Sequence, residues 1–61
     1  MSVSIKNLIY GRLRSILESL ERQSRVIERT PISDEVKEAL NREVESITNE
    51  VRVISEDLVN L

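Results

Sequence analysis

Apolar residues recur at alternating intervals of four and three along the second half of the chain, from Leu40 to Leu61. This spacing is the heptad repeat of a helix that buries one stripe of its surface. The a positions are Val44, Val51 and Leu58, and the d positions are Leu40, Ile47, Ile54 and Leu61. The g positions beside them are all acidic: Glu43, Glu50 and Asp57, here named the acidic edge. We expect this seam to pack against another helix.

The first half carries a similar stripe that is wider. Its four-three spacing runs through Ile9, Leu13, Ile16, Leu20 and Ile27, with Gln23 at one step. Tyr10 and Leu17 each lie one residue beyond a member of this series, which broadens the apolar surface. A stripe of this width favours a bundle of three or four helices over a two-stranded coiled coil.

The helical pattern is interrupted once, near the middle of the chain. Pro31 disfavours helical geometry at Thr30, and Ser33 is followed by the acidic pair Asp34 and Glu35, which is typical of a helix N-terminus. The sequence therefore predicts one all-α domain over residues 1–61, with helix 1 at about 5–29, a turn at about 30–33 and helix 2 at about 34–60. Two helices of similar length with a short connection favour an antiparallel hairpin.

The first five residues alternate apolar side chains with serine. This pattern favours a lead-in whose Ser4 caps helix 1 over a very short strand.

A chain of 61 residues buries only about 60% of its unfolded surface and needs an additional source of stability. Cysteine and histidine are both absent, so disulfides and the usual nitrogen and sulfur metal ligands are excluded. Self-association remains, and a symmetric dimer of hairpins would form a four-helix bundle with coiled-coil-like packing. The predicted interface consists of Ile9, Leu13, Ile16, Leu17, Leu20, Ile27, Leu40, Val44, Ile47, Val51, Ile54, Leu58 and Leu61.

Two alternative partners for the seam stay open. The helix 2 seam could pair with a helix of a larger protein, so that the chain would be a subunit. Valine at a with leucine and isoleucine at d also suits direct parallel pairing of two second helices.

The residue inventory argues against catalysis. With one glycine there is no phosphate-binding loop, and serine or threonine would have to act as nucleophile without histidine. Carboxylates of the acidic edge lack the Glu-x-x-His pairs of di-metal bundles. We therefore predict no enzyme activity, no cofactor and no metal site.

Charge is divided unevenly between the halves, although the net charge is only −2. Residues 1–30 carry six basic and three acidic side chains, whereas residues 31–61 carry three basic and eight acidic. Four arginines form a stripe opposite the apolar face of helix 1: Arg14, Arg22, Arg25 and Arg29, here named the arginine stripe. A small nucleic-acid-binding regulator would use such a stripe. Glu18 and Glu21, expected to pair with Arg22 and Arg25, reduce its field, so a solvated surface is the preferred interpretation.

No apolar run reaches the roughly 20 residues of a transmembrane helix, and no signal-peptide pattern begins the chain. We expect a cytoplasmic protein without membrane contact. The function predicted from these features is that of a non-enzymatic protein-interaction or regulatory module, which acts through homodimeric bundle assembly.

Overall fold

The computed structural model describes residues 4–61, and these form two α-helices. Helix α1 spans Ile5–Arg29 and helix α2 spans Asp34–Val59. The helices pack against each other, and residues 4–61 include no β-strand. The prediction of an all-α helical hairpin is confirmed.

Helix α1 begins without side-chain capping. Ser4 occupies the N-cap position with extended backbone, but its side chain makes no capping hydrogen bond. Ser4 is therefore the N-cap residue of α1, as predicted, but it caps the helix through its backbone carbonyl alone, which accepts the N–H of Leu8 at 3.1 Å. The preceding residues, 1–3, which the lead-in prediction also covers, lie outside the described part of the chain.

The connection between the helices follows local sequence chemistry. Thr30 leaves the helical region at φ −81° and ψ 132°, as expected for a residue before proline, and its hydroxyl donates a hydrogen bond to the carbonyl of Val26 at 2.6 Å. Ser33 then caps α2, because its Oγ accepts the backbone N–H of Val36 at 3.3 Å. The four residues from Thr30 to Ser33 thus reverse the chain.

Two hydrogen bonds from lysine side chains to backbone carbonyls show how the antiparallel helices are aligned. At the open end, Lys6 Nζ donates to the carbonyl oxygen of Val59 at 3.4 Å. At the turn, Lys37 Nζ donates to the carbonyl oxygen of Glu28 at 3.1 Å. The helices therefore run side by side over nearly their full length.

The hairpin is one helix layer thick. Its principal extents are 50 × 20 × 9 Å, and its radius of gyration is 14.8 Å, compared with about 10.5 Å expected for a compact chain of this length. Each helix consequently has two sides that no other helix of the chain can cover. Over residues 4–61, neither helix is long and apolar enough to cross a bilayer.

Candidate interaction surface

The a positions of both helices form the contact inside the hairpin. On α2 these residues are Val44, Val51 and Leu58, and Val51, at 7% exposure, is the most buried residue described. On α1 the half-buried apolar residues are Leu13, Leu20 and Ile27, which define the a positions of this helix, and Leu17, which is then at an e position. These seven members of the predicted interface are therefore placed between the two helices of one chain.

One broad side of the hairpin, here named the polar face, is lined mostly by polar and charged residues. A shallow groove along it is formed by Leu20, Glu21, Ser24, Asn41, Val44, Glu45, Thr48, Asn49 and Arg52. Hydroxyls in and near the groove are satisfied within α2: Thr48 donates to the carbonyl of Val44 at 2.7 Å, and Ser55 donates to that of Val51 at 2.8 Å. These side chains occupy e positions, immediately beside the inner contact.

The opposite broad side carries the d positions. At 100° per residue, the d positions lie to one side of the inward a positions and the e positions lie to the other. The d positions are therefore on the side of each helix that is away from the polar face. Five large aliphatic side chains are found there, each between 39% and 51% exposed: Ile9, Ile16, Leu40, Ile47 and Ile54. We name these five residues the apolar face.

The apolar face continues toward both ends of the hairpin. Ile5 and Val36 lie on the same side, at 74% and 46% exposure, and neither was included in the predicted interface. Their signal was available, because each lies four residues before a d position, but the strict four-three series excluded them. Leu61, which was included, ends the face at 90% exposure.

The solvent-accessible area of the chain is large for its mass. Its area is 5258 Å², whereas a compact monomer of 7.0 kDa would expose about 4,000 Å². The excess of about 1,200 Å² per chain amounts to about 2,400 Å² for two copies, which exceeds a standard protein interface. The hairpin therefore has enough uncovered surface to supply a stable interface.

Charged and polar side chains border the apolar face differently on the two helices. On α2 its border is the acidic edge of Glu43, Glu50 and Asp57, all exposed. On α1 the corresponding g positions hold Ile5, Arg12, Ser19 and Val26, and Gln23 occupies a neighbouring d position. Sequence reasoning assigned no role to Arg12, although the interval of seven between Arg12 and Ser19 matches that of the acidic edge.

The arginine stripe lies on the far side of α1, away from the apolar face, and its four members are exposed. Within residues 4–61 an ion pair joins Arg14 Nε to Glu18 Oε1 at 3.9 Å, with both side chains largely solvated. The predicted pairing of Glu18 with Arg22 and of Glu21 with Arg25 is absent from this part of the chain. An ion pair between long, exposed side chains contributes too little free energy to fix one pairing over another.

The carboxylates of residues 4–61 are distributed along the exposed surfaces of the two helices. No group of three or more carboxylates there is arranged to hold a metal ion. The acidic edge extends along one helix with an interval of seven residues, so its carboxylates are about 10 Å apart. No family model, curated protein or solved structure matches the chain.

Proposed function

We propose that the chain is a non-enzymatic interaction module that dimerises through its apolar face into a four-helix bundle. The observation that carries the proposal is the row of half-exposed aliphatic side chains at the d positions of both helices. At about 25 cal/mol per Å², burial of such a row supplies a substantial driving force for association. A second copy offers the same row at the same spacing.

Two neighbouring residues of α2 provide a matched test. Ile54 and Val53 are 51% and 55% exposed in the hairpin, but only Ile54 belongs to the apolar face. We expect Ile54→Asp to sediment as a monomer at concentrations where the original chain is a dimer, because the carboxylate would be buried in the dimer. Val53→Asp should remain dimeric.

Sedimentation equilibrium from about 1 to 200 μM, with circular dichroism on the same samples, gives the answer. A monomeric original chain, or equal loss of dimer in both variants, would contradict the proposal. A poorly helical monomer would instead support a subunit whose helix 2 seam pairs with a larger protein.

The arginine stripe defines the alternative of a small nucleic-acid-binding regulator. Its test is a duplex RNA titration at two salt concentrations, since binding through arginines to phosphate weakens steeply with salt. Loss of salt-sensitive binding in Arg22→Glu with Arg25→Glu, at unchanged helicity, would support this alternative. Absence of binding by the original chain would leave the stripe as a solvated surface.

A further inference from the structure

The borders of the apolar face distinguish two ways of stacking two hairpins. In a like-on-like stack, α1 lies on the partner's α1 and the two turns are at opposite ends. In a crosswise stack, α1 lies on the partner's α2, antiparallel to it, and the two turns are at the same end. These are the two symmetric arrangements that bring the apolar faces together with aligned helices.

Like-on-like stacking brings the two acidic edges together. Each acidic edge carries Glu43, Glu50 and Asp57, and the α2 border of the apolar face contains no basic residue. Six carboxylates would then line one side of the dimer without a counter-charge. Like charges at g positions oppose such a pairing.

Crosswise stacking places each acidic edge against the other border. The alignment of Lys6 with Val59 and of Lys37 with Glu28 puts Arg12 level with the segment between residues 50 and 57. A dimer axis parallel to the helices preserves this level, so Arg12 meets the acidic edge of the partner. Gln23, near the level of Glu43, adds an amide donor along the same border.

We infer that the second copy docks crosswise, with Arg12 of each chain paired to the Glu50–Asp57 segment of the other. This inference rests on the proposed dimerisation and specifies its partner surface. In heptad terms, the a and e positions join the two helices of one chain, whereas the d and g positions join the two chains. The two arginine stripes then lie at opposite corners of the bundle.

The effect of reversing the charge at residue 50 on the dissociation constant has opposite signs in the two stacks. For the crosswise dimer we expect Arg12→Glu and Glu50→Arg each to raise the dissociation constant by about tenfold, and the double variant to restore it to within about threefold. In a like-on-like dimer, Glu50→Arg would relieve repulsion and tighten the dimer. Glu45→Arg, with the same charge change beside the polar face, is the control and should stay within about twofold of the original.

A spin label measures the arrangement directly. The sequence contains no cysteine, so Glu35→Cys introduces a single thiol near the turn. Labels in the crosswise dimer should be about 25 Å apart, compared with about 40 Å for like-on-like stacking, given the helical rise and the spacing of packed helices. A 40 Å distance, or tightening by Glu50→Arg, would overturn the crosswise stack while leaving dimerisation intact. A monomer without dipolar coupling would overturn the proposed function itself.

Discussion

The two broad faces of the hairpin consist of the same two helices but differ in how completely a single chain satisfies them. On the polar face, Thr48 and Ser55 occupy the border of the inner contact, and their hydroxyls are already bonded to α2 carbonyls. On the apolar face the equivalent border carries Ile47 and Ile54, which remain 39% and 51% exposed. A hydroxyl can be satisfied by its own helix, whereas an aliphatic side chain needs a neighbouring surface.

This difference explains why the proposed dimer uses one face only. Short e-position side chains on α2 let the helices approach each other, and the exposed apolar side chains on this side, Tyr10 and Val59, are confined to the open end of the hairpin. The d-position side chains are large and aliphatic, and residues 4–61 form no further element that could cover them. Substitutions that make the apolar face polar, or the polar face apolar, therefore test the proposed dimer most directly.

The largest expected effect comes from a charge on the α1 side of the apolar face. Ile16→Asp should weaken the dimer by at least about 3 kcal/mol, because an unpaired carboxylate would enter the buried interface. Sedimentation equilibrium measures the shift, and Ser15→Asp, exposed on the neighbouring position, is the control. A dimer that tolerates Ile16→Asp would mean that α1 takes no part in the apolar interface.

Thermal stability should depend on concentration if the apolar face is covered by a second copy. Each tenfold increase in protein concentration should favour the folded dimer by about 1.4 kcal/mol, which raises Tm. Circular dichroism melts over a hundredfold range of concentration measure this dependence. A Tm that is constant for the original chain would contradict dimer formation, and a constant Tm for Ile16→Asp alone would support it.

On the polar face, substitution of Asn41 should stabilise the protein, whereas the substitution on the apolar face destabilises the dimer. Its Oδ1 is buried without a hydrogen-bond partner in residues 4–61, which carries a desolvation cost. We expect Asn41→Leu to raise the free energy of unfolding by about 1 kcal/mol without altering the dissociation constant. Urea unfolding compares it with Asn49→Leu, an exposed position where the change should be negligible; destabilisation by Asn41→Leu would contradict the assigned cost.

The smallest effects are expected where hydroxyls bond only to their own helix. Thr48→Val and Ser55→Ala should each change the free energy of unfolding by less than about 0.5 kcal/mol, because the acceptor carbonyls keep their helical partners. Urea unfolding at fixed protein concentration measures both. A loss above about 1.5 kcal/mol would show that these hydroxyls support the packing of α1 on α2.

Local sequence rules predicted the elements of this fold correctly. The helical periods, the break at Pro31 and the cap at Ser33 each depend on residues within one turn of the chain, and all three are found in the structure. Ser4 is the exception among the caps. Its chemistry permits the capping bond, but nothing in the sequence required the side chain to turn toward the helix.

The division of the apolar stripe was not predictable in the same way. Heptad spacing identified Val44, Ile47, Val51 and Ile54 as one seam and assigned all four residues to the partner interface. The packed hairpin separates them, because α2 turns its a and e positions toward α1 and leaves its d positions outside. That rotation depends on which side chains fit across the contact between the helices.

The amino-acid sequence by itself determined two amphipathic helices, their reversal at residues 30–33 and the acidic character of one border. Only the tertiary structure decided which half of each stripe the chain buries internally and which half stays exposed. The physical reason is that periodicity specifies a stripe but not the rotation of a helix about its axis. Rotation is set by the shapes that meet across the contact, and these come from residues distant in sequence.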